Sequence, residues 1–415
     1  MTRAGRERGP GLPPPSPFER LKRVHALTVA GDASMAIALA DSLFLSISPD
    51  AARSRVVLFL AVSMAPFIVV APLIGPVIDR MRGGQRMVAT IVSVLRASVL
   101  VAMAFTLDSL TLFPIAFAAL ILGKTYAISK SALVPVTVTD PAQLVEANSR
   151  LGVVAGVAGF AVAPVAALLQ LIDARAALFL GAVAFLGAAA NARRLPRTVI
   201  ADRPAGRLEQ QELHSPEVVS AAIAMRTLRA AVGFMFFHLA FWLRSEIAGT
   251  AWFGLAIAAS SIATMGANLS APRVKKVARH ETMLLMALVA VAVAGVGAAW
   301  WNRVLAGVTL AAVVNAAAAM GRLAFEATVQ EGAPDANRGR AFARFETHNQ
   351  LAWVVGGLVP VVLSPPGWFG FAMVAVIGGL GAVAYRRGSV TALRGGRATN
   401  QERRPRSGSE DFRDH

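Results

Sequence analysis

Three ionisable residues lie inside apolar stretches of the chain, where a charge is costly. Asp32 lies in the first long apolar stretch, Arg96 in the third and Lys124 in the fourth. If these stretches are membrane-spanning helices, Asp32 and Arg96 lie about 12 Å from the same membrane face, and Lys124 lies near that level. Buried charges are retained when they are paired or functional. The pattern therefore predicts either a fixed ion pair or a site at which Asp32 exchanges a proton as its partner changes.

A second acid, Asp41, follows Asp32 by nine residues on the same predicted helix. Nine steps of about 100° place the two carboxylates on opposite sides of a helix, so only one of them can line a central cavity. The sequence leaves open which one does.

Polar residues also recur in the later apolar stretches. Asn315, Arg322 and Glu326 are spaced by seven and four residues, which gives one polar stripe along a helix. The spacing by itself predicts an intrahelical Arg322–Glu326 pair. His238 lies deep in the predicted seventh span. Because histidine exchanges protons near neutral pH, it is a candidate proton carrier; the alternative is a hydrogen-bonded packing residue.

The sequence carries none of the enzyme motifs that would compete with this interpretation. It has no nucleophile elbow, HExxH motif or dinucleotide-binding glycine pattern. Gly123-Lys124-Thr125 resembles the end of a phosphate-binding loop, but Ala118 stands where the first glycine is needed. The chain has no cysteine, which excludes disulfides and thiolate metal sites. We predict neither an enzyme nor a cofactor or metal.

The elements that must position these residues are apolar stretches of about 18–25 residues, the length with which a helix crosses a hydrocarbon core. Twelve such stretches lie between residues 24 and 385. With 55% hydrophobic and only 16% charged residues, the composition is typical of an integral membrane protein. The predicted fold class is all-α integral membrane, with twelve transmembrane helices.

The basic residues predict the orientation of the chain. The net charge is +17, and most of the 41 Lys and Arg residues lie in connections on one side of the predicted spans. The opposite side carries only Arg53, Arg55, Arg175, Arg244 and Arg303. The positive-inside rule then predicts that both termini are cytoplasmic. We therefore attribute the net positive charge to the membrane topology of the chain, and we predict no nucleic-acid partner. Because Arg greatly outnumbers Lys, we predict the cytoplasmic (inner) membrane of a bacterium.

Polar segments divide the chain into five parts. We predict a basic cytoplasmic tail, two halves of six helices each on either side of a cytoplasmic linker, and a disordered cytoplasmic tail. In chain order these parts are residues 1–23, 24–192, 193–217, 218–385 and 386–415.

Corresponding features of the two halves are separated by a nearly constant number of residues. The in-helix prolines Pro164 and Pro360 are 196 residues apart, and the loop acids Asp140 and Asp335 are 195 apart. An even number of spans in each half makes the halves parallel repeats, related by an axis along the membrane normal.

The loop between the second and third spans, GPVIDRMRGGQR, resembles a signature of the major facilitator superfamily. The matching residues are Gly75, Asp79, Arg80, Gly83 or Gly84, and Arg86. The resemblance implies a cytoplasmic latch between the halves, in which Asp79 accepts from the N-terminus of the eleventh span. The alternative is a loop that only sets topology.

Other segments resemble the exporter-like branch of this family, which includes siderophore and drug exporters. They are Gly31-Asp32 and the loops LVPVTVTDPAQLVEANS (133–149) and VQEGAPDANRGRAF (329–342). The resemblance implies a cavity lined by the first, fourth, seventh and tenth helices. It thereby favours a substrate or gate role for Asn315, Arg322 and Glu326, and the alternative is the intrahelical pair alone. The fifth span departs from the antiporter signature, because Ala163 precedes Pro164 where the family has Gly. The resemblance also implies that Gly356-Gly357 lies at the interface between the halves.

We therefore predict a secondary active transporter that moves a small, amphipathic solute by alternating access, as a proton-coupled efflux antiporter. The alternatives are a proton-coupled uptake permease and a non-transporting membrane sensor or partner subunit. The predicted partners are a small-molecule substrate, protons and the lipid bilayer. The sequence leaves the substrate and the oligomeric state open and is compatible with a monomer.

Overall fold

Every regular element that the computed structural model describes is helical. The described residues are 15–39, 84–107, 109, 111–138, 140, 143–196, 216–332 and 338–402. The predicted second span, 55–78, lies outside them. Nine helices in the described part are long and apolar enough to cross a membrane. The predicted all-α membrane class is confirmed, and the helix order is consistent with twelve helices in two repeats.

The described helices are numbered here in chain order. They are α1 (Pro17–Leu39), α2 (Gly84–Ala104), α3 (Leu112–Thr137), α4 (Leu144–Ile172), α5 (Ala174–Ala192), α6 (Pro216–Trp242), α7 (Gly249–Val277), α8 (His280–Trp301), α9 (Val304–Gly332), α10 (Arg338–Leu363) and α11 (Gly367–Glu402). A short 3₁₀ turn, Leu243–Ser245, follows α6.

Several helices are longer than the apolar stretches that predict them. Helix α1 begins at Pro17 because the Ser16 hydroxyl accepts the Glu19 N–H at 3.2 Å, and proline suits a first helical position. Helix α6 likewise begins at a proline, Pro216, with an acid in its first turn. The last helix continues to Glu402, and no proline interrupts it over 386–402.

The described residues form two compact units. The first holds α1, α2, α3, α5 and the larger part of α4, and the second holds residues 148–153 of α4 together with α6 to α11. In the first unit α5 packs against both α1 and α2, and α2 packs against α3. Its core contains Leu100, Met103, Leu112, Leu178 and Phe185, all fully buried.

In the second unit, α6 packs on α9, α10 and α11, and α9 packs on α7 and α8. Two glycines let the backbones of α6 and α10 touch. Gly233 of α6 lies against the Trp353 backbone, and Gly356 of α10 lies against the Ala230 backbone. Gly357 faces the Phe237 ring. Both Gly356 and Gly357 therefore pack against α6, a helix of their own unit.

Candidate functional site

Asp32 and Arg96 form an ion pair inside the first unit. Both terminal nitrogens of Arg96 contact the carboxylate, with Nη1 at 3.4 Å from Oδ2 and Nη2 bonded to Oδ1. The Arg96 side chain is 3% exposed, whereas 44% of the Asp32 side chain is exposed. The base is therefore enclosed by protein, and the acid lies at the edge of the unit, where it can meet water or a ligand.

Three neighbouring helices hold Arg96 of α2 in place. The guanidinium lies 4.2 Å from the centroid of the Phe185 ring, a cation–π contact from α5. Gly123 of α3 lies beside Arg96 Nη2, since a Cβ there would be 3.7 Å away. The Phe185 ring packs on Gly31 of α1, where an added Cβ would come within 2.7 Å of two ring atoms. The position of Arg96 is thus set by packing that involves Gly31, the neighbour of Asp32.

Side chains that can exchange protons continue along one face of α1 from Asp32. His25, Thr28 and Asp32 are spaced by three and four residues, so they share one face of the helix. His25 Nδ1 lies 3.3 Å from the Tyr126 hydroxyl, and the two rings stack with centroids 6.1 Å apart. The Thr28 hydroxyl donates to the Val24 carbonyl at 2.8 Å and lies near the Tyr126 hydroxyl. Sequence reasoning missed His25 and Tyr126, although the seven-residue spacing from His25 to Asp32 was visible.

Several predicted residues of the first half cannot be assigned a position. Asp41 and the loop residues Gly75, Asp79, Arg80 and Gly83 lie outside the described residues.

The described candidates of the first half occupy different places. Lys124 is half-buried on α3, next to the Gly123 that contacts Arg96. Gly84 begins α2 with φ 56°, a conformation that favours glycine. Arg86 Nη1 donates to the Arg193 carbonyl at 3.4 Å, and Arg20 Nη1 donates to the Arg194 carbonyl at 2.7 Å. These cations meet the C-terminal end of α5, where carbonyls lack helical partners.

In the second unit, His238 is surrounded by aromatic rings. It is 1% exposed, stacks on Trp242 at 6.1 Å and meets Phe371 edge-on at 5.5 Å. Gly370 of α11 leaves room for the imidazole. The Nε2 atom is buried and has no hydrogen-bond partner among the described residues. These contacts favour packing over proton transfer for this histidine.

The polar stripe of α9 bonds largely within its own helix. Asn315 Nδ2 donates to the Ala311 carbonyl at 2.9 Å. Arg322 Nη1 lies 3.7 Å from Glu326 Oε1, which is the intrahelical pair that the spacing predicts. The Arg322 side chain is 40% exposed and that of Glu326 is 10% exposed, so the arginine keeps an accessible guanidinium.

Arg229 is a half-buried charge that sequence reasoning missed. It lies 13 residues, about 20 Å, from both Pro216 and Trp242, the ends of α6. Its Nη2 donates to Gln350 Oε1 at 3.4 Å, and Glu346 and Arg322 lie within electrostatic range. The predicted seventh span started at 227 and placed Arg229 at a membrane boundary. The apolar run from Val218 to Met225 was the signal for an earlier helix start.

A cluster of buried amides joins residues 148–153 to α7 and α9 within the second unit. Asn148 Nδ2 donates to Gln330 Oε1 at 2.9 Å, and both side chains are buried. The Ser149 hydroxyl bonds to the Asn268 carbonyl. Gly152 faces the Asn268 amide, where a Cβ would come within 2.6 Å. These bonds satisfy the Asn148 Nδ2 and Ser149 hydroxyl donors, whereas Asn148 Oδ1 and Asn268 Oδ1 have no partner among the described residues.

Comparison with known sequences points to one family. The sequence pattern of the Major Facilitator Superfamily matches residues 26–357. An uncharacterized protein of Mycobacterium leprae (strain TN) is 29% identical over 390 residues, which cover 84% of this chain and 67% of the relative. An uncharacterized protein of Mycobacterium tuberculosis (strain CDC 1551) is also 29% identical over 390 residues, with 69% of its length covered.

Solved structures share the fold at low sequence identity. A bacterial homologue of the iron transporter ferroportin, in an outward-facing state, superposes with TM-score 0.68 at 16% identity, over 91% of this chain and 100% of that one. The human organic anion transporter TETRAN gives 0.65 at 16% identity, over 89% and 100% of the two chains. The Major Facilitator Superfamily transporter FucP gives 0.65 at 11% identity, over 90% and 98%.

Proposed function

This chain belongs to the Major Facilitator Superfamily, and from that premise we propose that it exports a small amphipathic solute in exchange for protons. As a member of this family it is a multi-pass membrane transporter of a small-molecule substrate, and not an enzyme. The direction, the coupling ion and the solute class are the proposed part.

The observation that carries the proposal is the unequal burial of the Asp32–Arg96 pair. With Asp32 ionised, the pair is neutral. Protonation of Asp32 would leave the Arg96 charge enclosed at 3% exposure, without its counterion. Because an unpaired buried charge costs several kcal/mol, the protonated state favours a rearrangement that hydrates or re-pairs Arg96. Proton binding can thereby bias one conformation over another, as coupling requires.

The row His25, Thr28 and Tyr126 supports the same role. An imidazole and two hydroxyls lie along the face of α1 that carries Asp32. Groups of this kind can pass a proton between the N-terminal end of α1 and the carboxylate. We assign the N-terminal end of α1 to the cytoplasm, together with both termini and the linker, on the distribution of basic residues.

The loop 75–86 completes the proposed cycle. We assign it the role of a cytoplasmic latch, in which Asp79 pairs with donors at the start of α10 and stabilises the outward-facing state. Gly84 and Arg86 supply the reversal and the anchor at its end, since Gly84 has φ 56° and Arg86 bonds to the end of α5.

Export of amphipathic compounds is proposed from the exporter-like loops and from the apolar character of the predicted cavity helices. The fold alone does not identify the transported solute. Its solved neighbours include a homologue of an iron transporter and an organic anion transporter.

The test is transport in proteoliposomes under an imposed pH gradient. Two xanthene dyes of opposite charge, rhodamine 6G and carboxyfluorescein, serve as amphipathic probes. We expect at least one dye to move against the direction of proton flow, and Asp32→Asn to abolish the dependence on the gradient. The control is Asp173→Asn, an exposed residue that caps α5 by accepting the Arg175 N–H at 2.8 Å, a role that Asn also fills.

Each other outcome contradicts the proposal in a distinct way. Dye movement in the direction of the protons would indicate an uptake permease. Movement that ignores the gradient would indicate a uniporter. Absence of movement for both dyes, with correctly inserted protein, would leave export of amphipathic solutes without support and favour a sensor or partner subunit.

A further inference from the structure

A cavity of about 460 Å³ lies at one end of the second unit. It is bounded by the beginnings of α6 and α8, the ends of α7 and α9, and a residue of α11. Charged side chains of both signs line it, mainly Glu217, Lys275, Lys276, Arg279, His280 and Glu331. It contains neither Asp32 nor Arg96, so a ligand here would be distinct from the proposed coupling site.

The connection from α7 to α8 gives the cavity an anion-binding wall. Lys275 and Lys276 lie in the last turn of α7, and Arg279 directly precedes α8. Helix α8 is 22 residues long and begins without a side-chain cap, so its first-turn N–H groups have no side-chain acceptor at the N-cap. A helix N-terminus flanked by basic residues favours phosphate, because backbone donors and positive charge converge on the same oxygens.

His280 contributes its ring to the wall of the cavity. It is the first residue of α8 and lines the cavity, and its side chain is 15% exposed. Its Nε2 is buried and unpartnered in the described part of the chain. Nδ1 lies beside Glu331 at the cavity wall, whereas Nε2 is covered by protein.

The remaining charged residues are carboxylates. Glu217 lies in the first turn of α6, and Glu331 lies near the end of α9. Glu331 Oε2 is 3.8 Å from His280 Nδ1, and the Glu331 side chain is still 40% exposed. Together with Glu281, three acids face three bases around the cavity. A simple anion would therefore meet repulsion as well as attraction, whereas a ligand with both charges can satisfy both sets.

We propose that this cavity binds a zwitterion in which a phosphate is linked to a primary ammonium, as in the headgroup of phosphatidylethanolamine. Lys275, Lys276, Arg279 and the start of α8 hold the phosphate, and Glu217 and Glu331 accept from the ammonium. The cavity lies at the ends of membrane-spanning helices and includes Tyr385, a residue type enriched at headgroup level. Basic pockets between helix ends are typical lipid-headgroup sites.

The test measures the unfolding temperature of the delipidated, full-length protein in detergent. It is titrated with phosphatidylethanolamine, phosphatidylcholine and phosphatidylglycerol of equal short chain length. We expect the strongest stabilisation from phosphatidylethanolamine. The choline headgroup lacks N–H donors for the carboxylates, and the glycerol headgroup has no cation. Soluble glycerophosphoethanolamine forms a separate arm: stabilisation by the lipid alone identifies the bilayer as the source, and equal stabilisation by both identifies a soluble metabolite.

Variants on each wall connect the preference to the cavity. Arg279→Gln and Glu331→Gln should each weaken the apparent affinity for phosphatidylethanolamine about tenfold, the loss of one charge-assisted hydrogen bond. Arg279→Lys should keep most of it. The controls are Arg303→Gln and Glu246→Gln, whose positions before α9 and after α6 lie at the other ends of those helices. Equal stabilisation by all three lipids, or an unchanged preference in both wall variants, would overturn the proposal.

Discussion

At the scale of single residues, the Asp32–Arg96 pair is held by unequal surroundings. Arg96 is enclosed by Asp32, Phe185 and the backbone near Gly123. Asp32 keeps an exposed side, where water can solvate a carboxylate that has lost its partner. The two charges therefore depend on each other to different degrees, and substitutions at the two positions should not be equivalent.

We expect Asp32→Asn to destabilise the protein more than Arg96→Gln. The first change leaves an enclosed cation without its counterion, on the order of 3 kcal/mol, and the second leaves a carboxylate that solvent reaches. The double variant should be less destabilised than the sum of the two single variants. Thermal unfolding of the three variants in detergent, with Asp173→Asn as control, measures this. Additive losses would show that the contact contributes no coupling energy.

We expect His238 to tolerate an aromatic substitute and to resist truncation. His238→Phe keeps a ring among Phe234, Trp242 and Phe371 and should cost about 1 kcal/mol, whereas His238→Ala leaves a cavity and should cost about 3 kcal/mol. Unfolding temperatures test the packing role. Transport that loses its dependence on the pH gradient in His238→Phe, at normal stability, would instead make this histidine a proton carrier.

Part of this residue-level description could be predicted from the sequence. One acid and one base at equal depth in one half predict a pair, because an uncompensated charge in hydrocarbon is too costly. The contact between His25 and Tyr126 could not be predicted. It depends on how α1 packs against α3, and the apolar residues of the two stretches do not specify which positions of the two helices meet.

At the scale of helices, hydropathy predicts the presence of spans better than their ends. An apolar stretch reports the thickness of the hydrocarbon core, whereas a helix ends where its backbone groups find other partners. Ser16 and Pro17 mark the start of α1, and Pro216 marks that of α6. The predicted seventh span starts at 227, near Arg229, whereas α6 begins at Pro216 and carries Arg229 near its middle.

Close approach of α6 and α10 gives a prediction at this scale. Gly356→Ala would drive a methyl group into the Ala230 backbone and should destabilise the protein by about 1–3 kcal/mol. Gly379→Ala in α11 is the matched control, since no atom lies within 4 Å of its added Cβ, and alanine favours a helix. Unfolding temperatures of both variants decide the matter. Equal stability would mean that α6 and α10 do not touch at Gly356.

At the scale of the whole molecule, the distribution of charge should determine orientation. The net charge is +17, and its Lys and Arg residues are concentrated in the connections assigned to the cytoplasm. The repeat of six and six spans agrees with Pro164 and Pro360, which the structure places inside α4 and α10. These features were accessible to sequence reasoning because they depend on composition and spacing, and not on side-chain packing.

We expect both termini and the 193–217 linker to be cytoplasmic. Reporter fusions within the linker and after residue 415 test this, with alkaline phosphatase active only outside the cytoplasm and a fluorescent protein folding inside it. A fusion after Arg303, on the side with few basic residues, is the control, and there we expect active phosphatase and no fluorescence. Phosphatase activity at the linker or the C-terminus would contradict the arrangement of six and six spans.

The packing of Phe185 on Gly31 also limits how this sequence can diverge. The ring occupies the space that any side chain at position 31 would need, and the same ring supports Arg96. A larger residue at 31 is tolerable only if position 185 becomes smaller, and a smaller residue at 185 removes the aromatic face from the guanidinium. We expect the two positions to covary among descendants of this chain, and the acid at 32 to be lost more often in lineages that have already lost the pair of Gly31 and Phe185.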